Sequence, residues 1–321
     1  MMSLTARPRA MVAEARRTRP GLLTIALAVL VLVLVPIAVT TDRFLSLGNA
    51  RAILASTALV GITAIGATLV MIAGSAVSMA ASQTATVAAM VFLATLDLGL
   101  AAATVLAVLG GIVVTTLQGL AVGFWEANPI VLTIAAGFAI GGGSIWFSGG
   151  TPVNAATGGY RILNATPLGL PLAVYVLLLF AVLAEVVLRR TTTGRQMYLV
   201  GENRAAARAA GLPVGRVIGV AWAFFGLCLA VTGVFLAAFN TSATSNLAGT
   251  LTLDAIAAVL VGGTAIAGGK GSALRTLGGA VLISVITDVL LLRGYSTGIQ
   301  ILAKGVLVLA VVVLVHLRGR R

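Results

Sequence analysis

The stretch VGGTAIAGGKGS, Val261 to Ser272, has the outline of a phosphate-binding loop. A Walker A loop requires a glycine, four spacers and then Gly-Lys-Ser/Thr, because backbone N–H groups wrap the phosphates while the lysine and hydroxyl reach phosphate and magnesium. Here Gly269-Lys270 is followed by Gly271, and the position of the first glycine holds Thr264. So apolar a neighbourhood offers no strand-loop-helix setting either. Any nucleotide therefore belongs to another chain. His316 is the only histidine and Cys228 the only cysteine, so no disulfide, Cys/His metal site or histidine-based relay can be built. No nucleophile, base and orienting group recur at useful spacing. We expect no catalytic residue, no metal and no cofactor.

The chemistry left is that of polar groups inside apolar runs, which are costly there and commonly mark a pathway or a pair. Asp288 and Lys304 fall at similar depths in the last two apolar runs, and an ion pair between them would relieve both desolvation costs. A water-filled path, or snorkelling to the interface, are the alternatives. Asp254 opens another apolar run, where it can stabilise the helix start through the dipole or face solute at the outer mouth. Ser78, Gln83 and Gln118 could line a polar path or bond across helices. Ser78, Gln83, Asp254, Asp288 and Lys304 are the expected translocation-path residues.

The elements that must position these groups are apolar and long. Of 321 residues 60% are hydrophobic and 9% charged, against about 25% charged in soluble domains. A spanning helix needs roughly 20 apolar residues, and a β-barrel would show short alternating strands instead. The expected fold is all-α and polytopic, with about ten transmembrane helices near 21–40, 52–72, 77–96, 99–122, 130–148, 169–188, 217–239, 252–268, 273–292 and 297–317. Lys and Arg number 21 against 8 Asp and Glu, but they sit between apolar runs, which argues against a nucleic-acid partner. With the N-terminus inside, the positive-inside rule places 16 of the 21 basic residues in cytoplasmic segments. The expected organisation is a basic cytoplasmic segment 1–20, one membrane domain 21–317 and a basic tail 318–321, both termini being cytoplasmic. The first run is read as an uncleaved helix, since no small-x-small site follows it near PIAVTTDRF. The loop around Thr151 to Thr166 should face outward.

Two Gly/Ala/Ser-rich interruptions, IAGSAVSMAAS at Ile72 to Ser82 and the opening GGTAIAGGKGS, occupy roughly corresponding positions in the two halves. Paired interruptions often mark broken helices beside a transport path, and small residues also simply let helices pack closely. The longest polar connection, 189–216, contains Asn203 as a helix N-cap, about two helical turns to residue 210, Gly211 as terminator and Pro213 as stop. Arg204 and Arg208 share one face, while Ala206, Ala207 and Ala210 offer a small-residue surface. So short a helix is marginal alone, and a partner protein would supply its burial; a solvated basic turn is the alternative.

GENRAAARAAGLPVGRV, LDAIAAVLVGGTAIAGGKGSALRTLGGAVL, ILAKGVLVLAV and SGGTPVN together resemble the permease subunits of bacterial ABC importers for ribose and related monosaccharides. The likeness runs from about Phe44 onward, and the loop motif is shared more loosely with branched-chain amino-acid permeases. The resemblance implies a multi-pass protein of the bacterial inner membrane, paired with a second permease subunit. Its expected partners are a cytoplasmic ABC ATPase and a periplasmic solute-binding protein. It further implies that Gly201, Asn203, Ala206, Ala207, Arg208 and Gly211 belong to a coupling helix docked on the ATPase. Two positions depart from the family pattern: Arg204 stands where an acid often follows the asparagine, and Gly74-Ser75-Ala76-Val77-Ser78 lacks the aspartate of a Gly-Ile-Asp-Leu-Ser-like run. An ion-coupled secondary transporter using Asp97, Glu185, Asp254 or Asp288 as proton carriers is the alternative function.

Overall fold

A computed structural model describes residues 40–41, 44–155 and 158–319. Residues 1–20, the expected first helix but for Thr40, and Arg320 and Arg321 lie outside them. The described chain is built of α1 (Leu47–Ile72), α2 (Ala81–Ala94), α3 (Leu100–Phe124), α4 (Pro129–Ser148), α5 (Leu172–Arg190), α6 (Thr192–Glu202), α7 (Arg204–Ala209), α8 (Val214–Asn240), α9 (Leu251–Val261), α10 (Ala273–Leu292) and α11 (Thr297–Gly319). Among the described residues, α1, α3, α4, α5, α8 and α10 are long and apolar enough to cross a membrane. The chain is an all-α polytopic membrane protein.

The helix ends follow their local chemistry. Asn128 caps α4 by accepting from the N–H groups of Ile130 and Val131, Pro129 occupies the first turn, and Gly149 closes the helix in the left-handed region at φ 61°, as the cap preferences of these residues require. At the centre, α8 lies against α1, α2 and α3. Its contact with α3 is a stripe of small residues that lets two backbones approach, the usual means of association where lipid supplies no hydrophobic drive. Gly111, Thr115, Gly119 and Gly123 line one face of α3. A Cβ on Gly111 would come 2.7 Å from Ala230 Cβ, and one on Gly123 2.9 Å from Gly215 Cα. Trp222, wholly buried, fills the space that Gly119 leaves.

The other faces of α1 are joined by hydroxyl pairs, Thr63 with Thr232 of α8 at 3.0 Å and Thr68 with Thr276 of α10 at 2.7 Å. At one end of the bundle, β1 (Val153–Asn154) pairs antiparallel with β2 (Ser242–Ala243), so the loop after α4 is stitched to the end of α8.

Most expected helices form within a few residues of their expected limits, and α10 coincides with its own at both ends. Two do not. The run expected as 77–96 is helical only from Ala81, because the chain turns at Gly74, φ +73°, and stays non-helical through Ser78. The run expected as 252–268 stops at Val261. Gly262 packs so tightly on α10 that a Cβ would come 2.7 Å from Thr276 Cα, and Gly263 turns the chain at φ +77°. One helix, α6, was not expected. Thr191 caps it by accepting from Gly194 N–H at 3.0 Å.

Candidate functional site

Both interruptions break their helices, and the breaks are joined to each other at two levels. Within the bundle, the first turns of α2 and α9 meet head to head. Thr252 N–H donates to Ser82 Oγ at 3.0 Å, Ser82 N–H donates to Thr252 Oγ1 at 2.9 Å, and the two hydroxyls are 2.7 Å apart. Each side chain thus satisfies a first-turn donor that the other helix cannot bond internally. Both residues are buried. Two short helices whose positive ends converge inside a bundle present a polar site to groups that accept hydrogen bonds.

At one end of the bundle, three glycine-bearing segments lock together: the turn after α1, the end of α6 and the loop between α9 and α10. Gly269 N–H donates to Ile72 O at 3.0 Å. A Cβ on Gly201 would overlap the Ile72 carbonyl oxygen and come 2.6 Å from Gly269 N. One on Gly268 would come 2.7 Å from Gly74 Cα and 2.8 Å from Gly201 O. Gly74, Gly268 and Gly269 all hold positive φ, so both the space and the backbone conformation favour glycine. Two side chains reinforce the lock, Arg204 Nη2 donating to Gly74 O at 2.8 Å and Tyr198 Oη donating to Gly271 O at 3.1 Å. Burial pushes the Arg204 pKa below its ordinary value. The Tyr198 pKa is raised, first by burial and then by the carboxylate of Glu185.

The segment 203–211 folds locally as its residues dictate. Asn203 Oδ1 accepts from Ala206 N–H at 3.0 Å, α7 runs to Ala209, and Gly211 turns the chain at φ +77°. The small residues between positions 201 and 211 divide into two groups. Gly201 and Ala207 are buried within this chain, whereas Ala206, Ala210 and Gly211 are exposed. The expected small-residue surface therefore loses Ala207 to the chain's own core. Arg208 is ion-paired with Glu126 beside the α3–α4 connection.

The expected path residues fall into separate hydrogen-bonded groups. The pairing of Asp288 with Lys304 does not form. Asp288 Oδ2 accepts from Asn49 Nδ2 at 2.8 Å, tying α10 to the start of α1. Lys304 Nζ instead donates to Asp254 Oδ1 at 2.6 Å, and Thr250 Oγ1 donates to Asp254 Oδ2 at 2.9 Å. The reason is packing: α11 lies along α9 more than along α10, so the buried aspartate that Lys304 meets is the one in the first turn of α9. Beside this pair a pocket of about 170 Å³ opens between α9 and α11, walled by Leu253, Ile256, Ile301 and Val308. Ser78 Oγ donates to Gln118 Oε1 at 2.9 Å, fixing the first break to α3. Gln83 Oε1 is buried and has no hydrogen-bond partner among the described residues. Among the described residues there is no group of three or more His, Cys, Asp or Glu side chains that could hold a metal.

Sequence reading passed over Ser82, Thr252 and the reach of Arg204. The first two carried only the signal of a hydroxyl residue near the start of an apolar run; their second positions follow from helix starts at Ala81 and Leu251. Arg204 carried none, since its acceptor is a backbone carbonyl 130 residues away.

Residues 49–316 match the family described as branched-chain amino acid transport system / permease component. The chain is 29% identical over 296 residues to the ribose import permease protein RbsC of Escherichia coli (strain K12), covering 89% of this chain and 91% of that protein. Over 294 residues it is 32% identical to the probable ABC transporter permease protein YphD of the same organism, with 91% and 87% covered. Over 196 residues it is 32% identical to the autoinducer 2 import system permease protein LsrD of Yersinia enterocolitica, with 58% of each covered. No solved structure matches the chain.

Proposed function

The chain belongs to the branched-chain amino acid transport permease family, and from that premise we propose that it is the membrane-spanning subunit of an ATP-driven ABC importer. Its solute is a monosaccharide or a related small polar molecule, in keeping with the ribose and autoinducer 2 import permeases that it resembles. The observation that carries the reading is the glycine lock. A short exposed helix, α7, is anchored through Gly201 and Arg204 to both broken segments of the bundle. A push on that helix has a rigid route to the path.

In this reading the chain crosses the bacterial inner membrane ten times, with residues 1–20, the connection 189–216 and the tail 318–321 in the cytoplasm. The ATPase docks on the exposed side of α7, through Ala206, Arg208 and Gly211, and Asn203 holds that helix in shape. Gly201 and Ala207 act from within as close-packed supports. A periplasmic binding protein delivers solute to the opposite end, where β1 and β2 lie, and a second permease subunit completes the path. The convergent starts of α2 and α9, with Ser78, Gln83, Asp254 and Lys304, supply hydrogen-bonding groups for a polyol, and Asp288 braces α10 against α1. ATP hydrolysis belongs to the partner.

Co-expression with the binding protein and ATPase encoded beside this chain, followed by uptake of labelled pentoses and hexoses into proteoliposomes, tests the reading. Uptake that requires ATP and the binding protein supports it. Uptake driven by an ion gradient with both partners absent overturns it.

A further inference from the structure

The two breaks differ in how they are held to α6 and α7. The loop between α9 and α10 meets α6 through close glycine packing and through Tyr198. The turn after α1 meets the same region through glycine packing and through one charged side chain, Arg204, whose Nη2 donates to Gly74 O at 2.8 Å. Gly74 is the hinge of the first break. Its N–H donates to Met71 O at 2.9 Å, the next N–H, of Ser75, donates to Val70 O at 3.2 Å, and its φ is +73°. Two residues before Gly74, the Ile72 carbonyl accepts from Gly269 N–H of the second break at 3.0 Å. Arg204 is also the first residue of α7, immediately after the cap Asn203. Beyond the glycine packing at Gly201, a displacement of α7 therefore reaches the first hinge through the Arg204 side chain, and that hinge is bonded to the second break between Ile72 and Gly269.

We propose that Arg204 is a positioning residue that fixes the Gly74 hinge to α7, so that both broken segments, 73–80 and 262–272, move with the docking helix as one body. This rests on the importer reading for its purpose and on the geometry alone for its mechanics. A charged donor suits the task. Hydrogen bonds from an ionised group to a carbonyl outlast neutral ones where water is partly excluded, and Arg204 is half-buried. Only one of its nitrogens reaches Gly74 O, so an ammonium of similar reach can replace much of its effect.

The mechanical half is tested on the whole chain in nanodiscs by hydrogen exchange, comparing wild type with Arg204→Ala and Arg204→Lys. Exchange should rise about tenfold or more in Arg204→Ala at Gly74 and Ser75. It should rise together at Gly269, whose N–H bonds to Ile72 O, and Arg204→Lys should recover most of the protection. Faster exchange confined to 74–75, no change at all, or a lysine variant as loose as the alanine variant overturns the proposal.

The functional half is solute taken up per ATP hydrolysed in the assembled complex. In Arg204→Ala this ratio should fall about tenfold while the ATPase still co-purifies, and Arg204→Lys should restore it. A wild-type ratio in Arg204→Ala overturns the coupling role. Absence of ATP-driven uptake in wild type would instead remove the importer reading, and the exchange measurement would still decide the mechanics.

Discussion

Lys304 Nζ lies 2.6 Å from Asp254 Oδ1, with 8% of the lysine side chain and 11% of the aspartate side chain exposed. The contact joins the last helix to the first turn of a short one. It sets two opposite charges in a setting where neither could stand alone, because desolvation of each ion costs several kcal/mol unless the other offsets it.

Removing one partner of this pair should therefore be far worse than removing both. Asp254→Ala or Lys304→Met should each lower stability by about 3–5 kcal/mol, and the double variant should recover much of the loss. Thermal unfolding of the four proteins in detergent closes the cycle. Strict additivity would mean that the two side chains do not interact. Asp288→Ala should be the milder change, about 1.5–3 kcal/mol, since its partner Asn49 is neutral.

Gly201 and Gly211 both sit beside α7 and should respond differently to the same methyl group. A Cβ on Gly201 would overlap the Ile72 carbonyl oxygen, whereas one on Gly211 meets nothing within 4 Å and encounters only the strain of φ +77°. Gly211→Ala should cost about 1–2 kcal/mol and leave a folded protein. Gly201→Ala should break the lock and lower the yield of folded chain in the membrane. Equal yields and equal melting temperatures would show that the lock has room to spare.

The polar facts that matter most here were legible to different degrees. Asn203, Gly211 and Pro213 announce α7 because capping and left-handed geometry are properties of single residues. The long spans follow in the same way from length and apolarity. Which aspartate meets Lys304 depends on how α11 lies across its neighbours, and depth along a helix cannot separate Asp254 from Asp288. The inward turn of Ala207 was equally hidden, since a face of α7 lined with alanines reads the same whether this chain or another covers it. Clusters of Gly, Ala and Ser signalled the breaks at 72–82 and 262–272, but their contact through Gly201 joins segments far apart in the chain.

Ser82 and Thr252 each accept the other's backbone N–H, so truncating one hydroxyl leaves a buried donor unpaired. Ser82→Ala and Thr252→Val should each lower stability by about 1–3 kcal/mol. The double substitution should cost less than the sum, because both hydroxyls belong to one reciprocal set. Thermal unfolding in detergent, paired with uptake assays, tests this, and a neutral Ser82→Ala would mean that the two helix starts do not depend on each other.

ATP-coupled transport through this chain is tested most directly at Ala206, an exposed alanine of α7 next to the buried Ala207. Ala206→Trp adds bulk on the side that faces a partner, whereas Ala207→Trp would disrupt the chain's own packing and so cannot separate docking from folding. In proteoliposomes with the cognate ATPase and binding protein, Ala206→Trp should insert and melt like wild type. It should lose solute-stimulated ATP hydrolysis and uptake together. Full ATP-driven uptake in Ala206→Trp, or wild-type uptake that follows an ion gradient and ignores ATP, would contradict the account.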